Sequence, residues 1–392
     1  MMHPPDFGEG NLWGPPTPRQ EGSRPPEPPA FITIAAIRWH SYRIPMRTPF
    51  TTAHGVHTER VGAIVEVVSA DGVCGLGEIA PLPELGGDLS GALAPLPTLA
   101  ARLQGTDLAG ALALLYAEAG ALPAATVFGL EVALLDAQAK YEQRPLLPGA
   151  RPGVFVNAVA GGGTAAKTAR AAQQAVADGY RCVKLKMGQD VQKEIERVAA
   201  VRAAIGPDIH LRLDANEGWN FEQARAILAG CAPYDIQYVE QPLPASDLAG
   251  MCALRRCVPV PVAADEAISD PAGARRVLAQ GAADILIVKP QLAGGLRAGR
   301  RIIEEAETYG VQCVVTSALE TGIGVVAALH LAAAMPSVTL ECGLATLRLL
   351  EDDLLLDDLS MRDGFLALPP GPGLGVQLDR EALNRYTWTP GM

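Results

Sequence analysis

The sequence predicts an α/β barrel preceded by a smaller α+β domain, and two observations support this prediction. Short apolar runs recur from residue 154 onward, and a stretch with the spacing of an amphipathic helix follows most of them. Strands that are apolar throughout and alternate with helices form parallel βαβ units. About eight such units in roughly 190 residues fit a closed barrel of the TIM type better than the alternative, an open doubly wound sheet.

The predicted barrel strands are rich in Val, Ile and Leu. They lie at 154–159, 182–185, 209–213, 236–239, 260–263, 285–288, 313–315 and 338–340. Helices are predicted between them, for example at 165–178, 191–205 and 294–309. We therefore assign the barrel to residues 151–345. Residues 346–392 contain a Pro/Gly-dense stretch that ends the barrel pattern, and we expect them to return against the first domain.

Residues 31–150 are predicted to form an α+β capping domain. Clusters of β-branched residues predict strands at 32–47 and 61–70, and helical spacing predicts helices at 90–105, 107–119 and 126–141. A polar stretch at 48–55 and a Gly/Pro-rich stretch at 74–83 are predicted as loops. Residues 1–30 are expected to be a disordered extension, because nine of the first 29 positions are proline.

The composition excludes several classes of protein. A formal net charge of -11 argues against a nucleic-acid partner, and no apolar run is long enough to predict a membrane-spanning helix. Seven cysteines form no CxxC pair and several lie in apolar runs, which is typical of a reduced, cytoplasmic protein. A small molecule is the expected partner, and homo-oligomer formation is left open.

Charged residues end consecutive predicted barrel strands. These residues are Lys184, Lys186, Asp214, Glu240, Asp265 and Lys289. From Lys186 onward they are 24 to 28 residues apart, which is one βα unit. The carboxyl ends of barrel strands form one mouth, so these side chains should converge there. Solvation at a sheet edge would explain a lysine pair alone. It does not explain three acids on consecutive strands with lysines on both sides.

Three converging carboxylates without His or Cys predict a site for a hard cation, Mg²⁺ first and Mn²⁺ as the alternative. A substrate carboxylate on such a cation has an acidic α-C–H bond, and loss of that proton gives an enediolate. We expect the metal and the charge of Lys184 to make Lys186 a usable base at neutral pH. Lys289 would approach from the opposite side, as a second acid/base or as a cation.

The order Lys-x-Lys, Asp, Glu, Asp, Lys resembles that of the enolase superfamily, in its muconate-lactonising subgroup, over about residues 33–380. The mandelate-racemase subgroup carries a His after the seventh strand, where this chain has 315–318, Val-Thr-Ser-Ala. The resemblance implies a modified TIM barrel, Mg²⁺ and a small carboxylate substrate. It also implies that two mobile loops, at 48–60 and 75–87, cover the barrel mouth.

Within the subgroup, the stretches 77–83, 211–216, 317–324 and 342–346 resemble those of o-succinylbenzoate synthases. This implies syn dehydration of 2-succinyl-6-hydroxy-2,4-cyclohexadiene-1-carboxylate to o-succinylbenzoate through an enediolate, a step of menaquinone biosynthesis. Residues 342–346 differ from the Asp-x-Asp signature of dipeptide epimerases. The stretch 291–296 also resembles that of N-acylamino acid racemases. Racemisation or epimerisation by two-lysine proton transfer is therefore the alternative.

The resemblance implies roles for the charged residues. Lys186 would be the base, and Lys289 the cation that stabilises the enediolate. Lys184 and Arg212 would tune and orient Lys186.

Five further residues are predicted around the substrate or the metal. Thr316 and Ser317 would donate hydrogen bonds to a substrate carboxylate. Asn216 and Glu266 follow predicted metal ligands in the chain, so they are candidates for contacts around the metal, with plain solvation as the alternative. His54 lies in a predicted mobile loop, where substrate gating competes with solvation.

Overall fold

The computed structural model describes residues 32–52, 55–83 and 87–389, with the side chains of 50–52 left out. The predicted N-terminal extension and His54 lie outside these residues. In the described ranges the chain forms an α+β cap, a parallel barrel and a C-terminal segment that touches both. None of the described helices is long and apolar enough to cross a membrane.

The cap is a three-stranded antiparallel sheet with helices on one side. Its elements are β1 (Ile34–Thr52), β2 (Gly55–Ser69), β3 (Cys74–Ile79), α1 (Leu89–Leu93), α2 (Leu96–Leu103), α3 (Leu108–Glu118) and α4 (Ala124–Tyr141). β2 is central and pairs with both neighbours. The pattern-based strands and helices of the cap are found, but the predicted helix at 90–105 is two short helices.

The loop predictions for the cap were wrong where β3 lies. Residues 74–79 are a strand, and its glycines serve the packing of α4. A Cβ atom at Gly75 would overlap the carbonyl oxygen of Ala133, and one at Gly77 would overlap that of Gly129. Glycine inside a strand often marks such a close approach of another backbone. The described parts of 48–60 likewise belong to β1 and β2. The mobility expected of both stretches stays a prediction.

The barrel strands and helices alternate along the chain. A short strand outside the barrel sheet, β4 (Gly153–Phe155), comes first. The barrel strands are β5 (Ala158–Ala160), β6 (Cys182–Lys186), β7 (His210–Asp214), β8 (Ile236–Glu240), β9 (Val262–Ala264), β10 (Ile285–Val288) and β11 (Gln312–Val315). The helices are α5 (Ala165–Ala177), α6 (Val191–Ile205), α7 (Phe221–Cys231), α8 (Leu248–Cys257), α9 (Pro271–Gln280), α10 (Pro290–Ala293), α11 (Leu296–Thr308) and α12 (Gly322–Ala334). β5 to β11 form one seven-stranded sheet, with parallel pairing between neighbours.

Single bridges close this sheet into a barrel. Gly343 pairs with Thr316 after β11, and Cys342 pairs with Val156 before β5, both in parallel. The strand predicted at 338–340 therefore lies too early. The chain turns there, with the Val338 amide donating to the Met335 carbonyl at 3.1 Å, and the closing residues follow. The modified TIM barrel with an α+β cap is the fold that the sequence predicted.

The C-terminal segment contains β12 (Phe365–Ala367) and α13 (Arg380–Arg385). β12 pairs with β4 in antiparallel fashion. Further along, the Trp388 amide donates to the Ser41 carbonyl at 3.0 Å, and the Tyr386 carbonyl accepts from the Arg43 amide at 2.9 Å. The segment thus joins the bottom of the barrel to the sheet of the cap.

Candidate active site

The register of three neighbouring strands places the charged residues in rows inside the barrel. Lys186 of β6 pairs with Asp214 of β7, which pairs with Glu240 of β8. One row below, Lys184 pairs with Arg212. Side chains two residues apart on a strand point to the same face, and here that face is the barrel interior.

Both lysines of β6 bond to the carboxylates beside them. The Nζ of Lys184 lies 2.9 Å from Asp214 Oδ2 and 2.9 Å from Glu240 Oε1. The Nζ of Lys186 lies 2.7 Å from Asp214 Oδ2 and 2.7 Å from the side-chain oxygen of Asn216. Asp214 thus holds both ammonium groups, and Asn216 fixes the direction of Lys186.

A third lysine completes the charged end from the other side of the barrel. Lys289 follows β10, and its Nζ bonds Oδ1 of Asp265, which follows β9. Next to Asp265, the Glu266 carboxylate accepts from the Asn216 amide at 3.1 Å. The acids therefore lie between Lys184 and Lys186 on one side and Lys289 on the other.

Burial and mutual repulsion shape the charge of these groups. Burial raises the pKa of Glu240 to about 7, and the nearby Asp214 carboxylate adds to the rise. Burial also raises the pKa of Asp265, although Lys289 opposes it. Burial alone would raise the pKa of Asp214 as well, but Lys184 and Lys186 hold it below its usual range. Asp214 is therefore held ionised by its two lysines, whereas Glu240 and Asp265 take up a proton more readily than exposed acids do.

These residues border a cavity of about 150 Å³ at the barrel mouth. The predicted residues that line it are Lys184, Lys186, Asn216, Glu240, Asp265, Glu266, Lys289, Thr316 and Ser317. Asp214 lies beneath them, bonded to both lysines of β6. Thr316 and Ser317 stand after β11, across the barrel. The Thr316 hydroxyl is buried with no hydrogen-bond partner in the described ranges, whereas that of Ser317 is 2.7 Å from the Thr346 hydroxyl.

Arg212 does not line the cavity, and the contact expected between it and Lys186 is not seen. Its buried guanidinium donates to the Glu341 carboxylate at 2.8 Å and to the Glu341 carbonyl at 2.7 Å. It also stacks over the Tyr238 ring at 4.7 Å. Arg212 therefore lies in the lower row beside Lys184, where its side chain is held by Glu341, a residue that the sequence reasoning passed over.

Sequence reasoning missed several residues of the opposite wall. On that wall they are Leu82 of the cap, and Leu319, Thr346, Arg348 and Leu349 after β11. Asn157, just before β5, and Val159 of β5, which pairs with Lys184, line the cavity beside the lysines and were missed as well. Asn157 had a signal, since it is a polar residue inside an apolar run. The others follow the last predicted strands or belong to the cap, where spacing along the barrel gives no guidance.

The residues of the charged end fit Mg²⁺, by two observations. The donors are all carboxylate oxygens, which suit a hard cation. Glu240 Oε2 and Glu266 Oε2 are buried with no partner within the described part of the chain. In that part no group of three or more His, Cys, Asp or Glu side chains is arranged to hold a metal ion. The lysine ammonium groups bond to the acids instead.

A capped parallel barrel with acids and opposed lysines at its mouth is typical of enzymes that remove a proton from the carbon next to a substrate carboxylate. Residues 34–148 match the model for the mandelate racemase / muconate lactonizing enzyme N-terminal domain, and residues 167–382 match that for the enolase C-terminal domain-like family. The chain belongs to the enolase superfamily, in its muconate-lactonising subgroup.

Named relatives span several activities. The chain is 30% identical to an L-Ala-D/L-Glu epimerase of Bacillus subtilis over 88% of this chain and 97% of that protein. It is 39% identical to an o-succinylbenzoate synthase of Thermobifida fusca, over 50% of this chain and 61% of that one. It is 26% identical to an N-succinyl-L-Arg/Lys racemase of Bacillus cereus over 91% and 98%.

Two solved structures share the whole architecture. A muconate lactonizing enzyme from Pseudomonas fluorescens, complexed with muconolactone, is 28% identical with a TM-score of 0.86, over 92% of this chain and 100% of that one. A dipeptide epimerase from Enterococcus faecalis, complexed with Mg and a dipeptide, is 29% identical with a TM-score of 0.83, over 88% and 99%. The family is thus established, while the named activities include both lyases and epimerases.

Proposed function

We propose that the protein is a Mg²⁺-dependent o-succinylbenzoate synthase, and the distribution of charge in the cavity carries the proposal. The acids lie at the lysine end. Across the cavity, the described lining residues of 316–319 and 343–349 include Arg348 and no carboxylate. A free dipeptide needs an acidic partner for its ammonium group, and the described residues of this wall offer none. A succinyl-bearing substrate offers a second carboxylate and an apolar ring, which suit this wall.

Asp214, Glu240 and Asp265 would hold the Mg²⁺. When bound, the metal would polarise the substrate carboxylate and acidify the α-C–H bond beside it. Lys186 would take that α proton on its Nζ, which Asp214 and Asn216 direct at 2.7 Å each. The same Nζ then gives the proton to the hydroxyl group leaving from the same face, and water departs. One residue thereby performs both halves of a syn dehydration.

Lys289 would act as a fixed cation on the opposite side. Its bond to Asp265 keeps the ammonium group at the edge of the cavity, facing the carboxylate end of the substrate. A preorganised positive charge of this kind stabilises the negative charge that develops when the α proton leaves.

Racemisation of N-succinylamino acids is the second candidate. The opposed placement of Lys186 and Lys289 favours it, because such a pair can move a proton from one face of a carbon to the other. The full-length similarity to an N-succinyl-L-Arg/Lys racemase points the same way. N-succinylamino acids also carry a second carboxylate and no free α-ammonium group, so they suit the same wall.

The test compares the two reactions in wild-type protein and in a Lys289→Arg variant. Arginine keeps the positive charge but does not exchange a proton at neutral pH. Dehydration is followed by ultraviolet absorbance in the presence of Mg²⁺. Its rate should fall about tenfold to a hundredfold in this variant, as is expected when a catalytic group is displaced. Racemisation of N-succinylamino acids, followed by optical rotation, should be lost. Exchange of the α proton in D₂O, followed by NMR, should remain only for the enantiomer whose α proton faces Lys186.

Two further variants control this experiment. Lys289→Met removes the charge and should abolish both reactions, and Lys193→Arg, at an exposed position on α6, should change neither. If wild-type protein shows no Mg²⁺-dependent turnover of the cyclohexadiene carboxylate, the dehydratase proposal is wrong. Racemisation of N-succinylamino acids under those conditions would then establish the racemase.

A further inference from the structure

Part of the wall that faces the lysines is built where the cap meets the barrel. Leu82, which follows β3, and Leu319, which follows β11, both line the cavity. We call this place the seam, meaning residues 80–82 of the cap and 318–320 of the barrel. The seam is apolar towards the cavity, but its main-chain groups need partners, since they are buried.

Arg60 of β2 is the partner of four carbonyl groups of the seam. It is 3% exposed, and all of its hydrogen bonds to described residues end on main-chain carbonyl oxygens. On the cap side it donates to Pro81 at 2.7 Å and to Ala80. On the barrel side it donates to Leu319 at 2.9 Å and to Ala318 at 3.1 Å. One guanidinium therefore ties both halves of the seam together.

Leu319 is held in a conformation that leucine rarely adopts. Its φ is 61°, in the left-handed region, where the side chain of an L-residue is crowded. Such a conformation persists only where the surroundings impose it. Here Arg60 holds the Leu319 carbonyl at 2.9 Å, and the Ser317 hydroxyl accepts from the Leu319 amide at 3.3 Å. The strain is thus located at a residue that lines the cavity.

Gln291, two residues after Lys289, forms a second tie across the seam. Its side-chain oxygen accepts from the Ala80 amide at 2.7 Å, and its nitrogen donates to the Ala80 carbonyl at 2.7 Å. The same nitrogen reaches the Glu320 carboxylate at 3.0 Å, and that carboxylate accepts from the Ala318 amide at 2.6 Å. The seam is therefore connected to the strand end that carries Lys289.

We propose that Arg60 is a positioning residue that sets the apolar wall of the cavity, by holding Leu319 in its strained conformation against Leu82. The wall would contact the ring or apolar body of the substrate, and this part of the inference rests on the proposed function. Arg60 itself does not border the cavity, so it acts on substrate only through the main chain that it holds.

The first experiment is hydrogen exchange, which needs no substrate. An Arg60→Lys variant keeps the charge, but a single ammonium group cannot reach four carbonyl groups in two directions. Exchange should become faster in peptides on both sides of the seam, 79–83 and 317–322, by more than in the peptides of the barrel strands. Arg43→Lys is the matched control, because Arg43 pairs with Val61 next to Arg60 but bonds to Glu59 and stacks on Trp388 instead. Unchanged exchange at 317–322 would overturn the proposal.

The second experiment separates KM from kcat. Arg60→Lys and Leu319→Gly should each raise KM about tenfold, the usual scale for a lost apolar contact, with kcat little changed. Glycine accepts a positive φ without strain, so Leu319→Gly should fold. In the Leu319→Gly background, Arg60→Lys should raise KM by less than about twofold, because its target is gone. Fully additive effects on KM would overturn the proposal.

Substrate choice keeps this inference separate from the proposed function. If wild-type protein does not dehydrate the cyclohexadiene carboxylate, that function fails, and the KM comparison is made with N-succinylamino acid exchange instead. The hydrogen-exchange result stands in either case.

Discussion

Two groups of buried carboxylates in this molecule are partnered in opposite ways. At the barrel mouth, Asp214, Glu240 and Asp265 each bond to a lysine ammonium group. Between cap and barrel, Glu78 and Glu131 instead accept from main-chain amides, with one tyrosine hydroxyl each.

The partners determine what each group can do. Glu78 accepts from the amides of Thr321 and Gly324 at 2.8 Å each, which ties the cap to the beginning of α12. Main-chain amides do not give up their protons, so such a contact can only hold the two domains together. A lysine beside a carboxylate can release and take back a proton. The same residue type therefore builds the interface in one place and supports proton transfer in the other.

The charged end should be the more sensitive to loss of one side chain. Lys186→Ala removes the proposed base, and turnover should fall by about 10²- to 10⁴-fold or more. Mg²⁺ binding, measured by calorimetry, should be kept, because Asp214 then loses a competing ammonium group. Lys193→Ala on α6 is the control and should retain full activity. Loss of metal binding in Lys186→Ala would show that Lys186 supports the metal site and is not only the base.

The two regions also differ in how much of them the sequence could predict. Lys186, Asp214 and Lys289 could be predicted because the strands of a barrel end at regular intervals in the sequence. A charged residue directly after an apolar strand is easily recognised at such an interval. The seam has no such period. Arg60 and Leu319 are far apart in the chain, and their contact depends on how the cap docks. Only a three-dimensional arrangement brings them together.

Composition misled the interpretation at β3 for a related reason. Glycine is usually a sign of a turn, and 74–83 contains Gly75 and Gly77 with two prolines. These glycines instead allow α4 to approach the strand closely. Because α4 lies about fifty residues later in the chain, the local sequence does not show this requirement. The position of Arg212 was missed similarly, since its partner Glu341 comes from the far end of the barrel.

The packing of β3 on α4 should be the next most sensitive feature. Gly77→Ala places a methyl group against the carbonyl oxygen of Gly129, and overpacking of this kind costs about 1–3 kcal/mol or more in the free energy of unfolding. Urea denaturation measures it. Gly120→Ala is the control, because a Cβ there meets no described atom within 4 Å. Equal stability of the two variants would mean that α4 does not pack as closely on β3 as described.

Of the carboxylates between cap and barrel, Glu131 should make the free energy of unfolding depend on pH. Burial raises its pKa from 4.5 to about 7, although the Tyr116 hydroxyl and the amides of Arg297 and Leu296 oppose the rise. The titratable groups that face it are Tyr116 of α3, at 2.8 Å, and the Arg297 guanidinium of α11, which stacks over the Tyr116 ring at 4.3 Å. A raised carboxyl pKa stabilises the fold fully below about pH 4.5, and this contribution is lost as pH rises through about 7.

The measurement is the free energy of unfolding of wild type and Glu131→Gln at pH 5 and pH 8. Glutamine does not titrate, so the wild type should lose roughly 2 kcal/mol relative to the variant between these values. A constant offset from the substitution itself does not affect this difference. Glu118→Gln is the matched control, since Glu118 is partly exposed and pairs with Arg102. Parallel pH profiles for wild type and Glu131→Gln would show that Glu131 stays ionised, and that the amides at the beginning of α11 outweigh its burial.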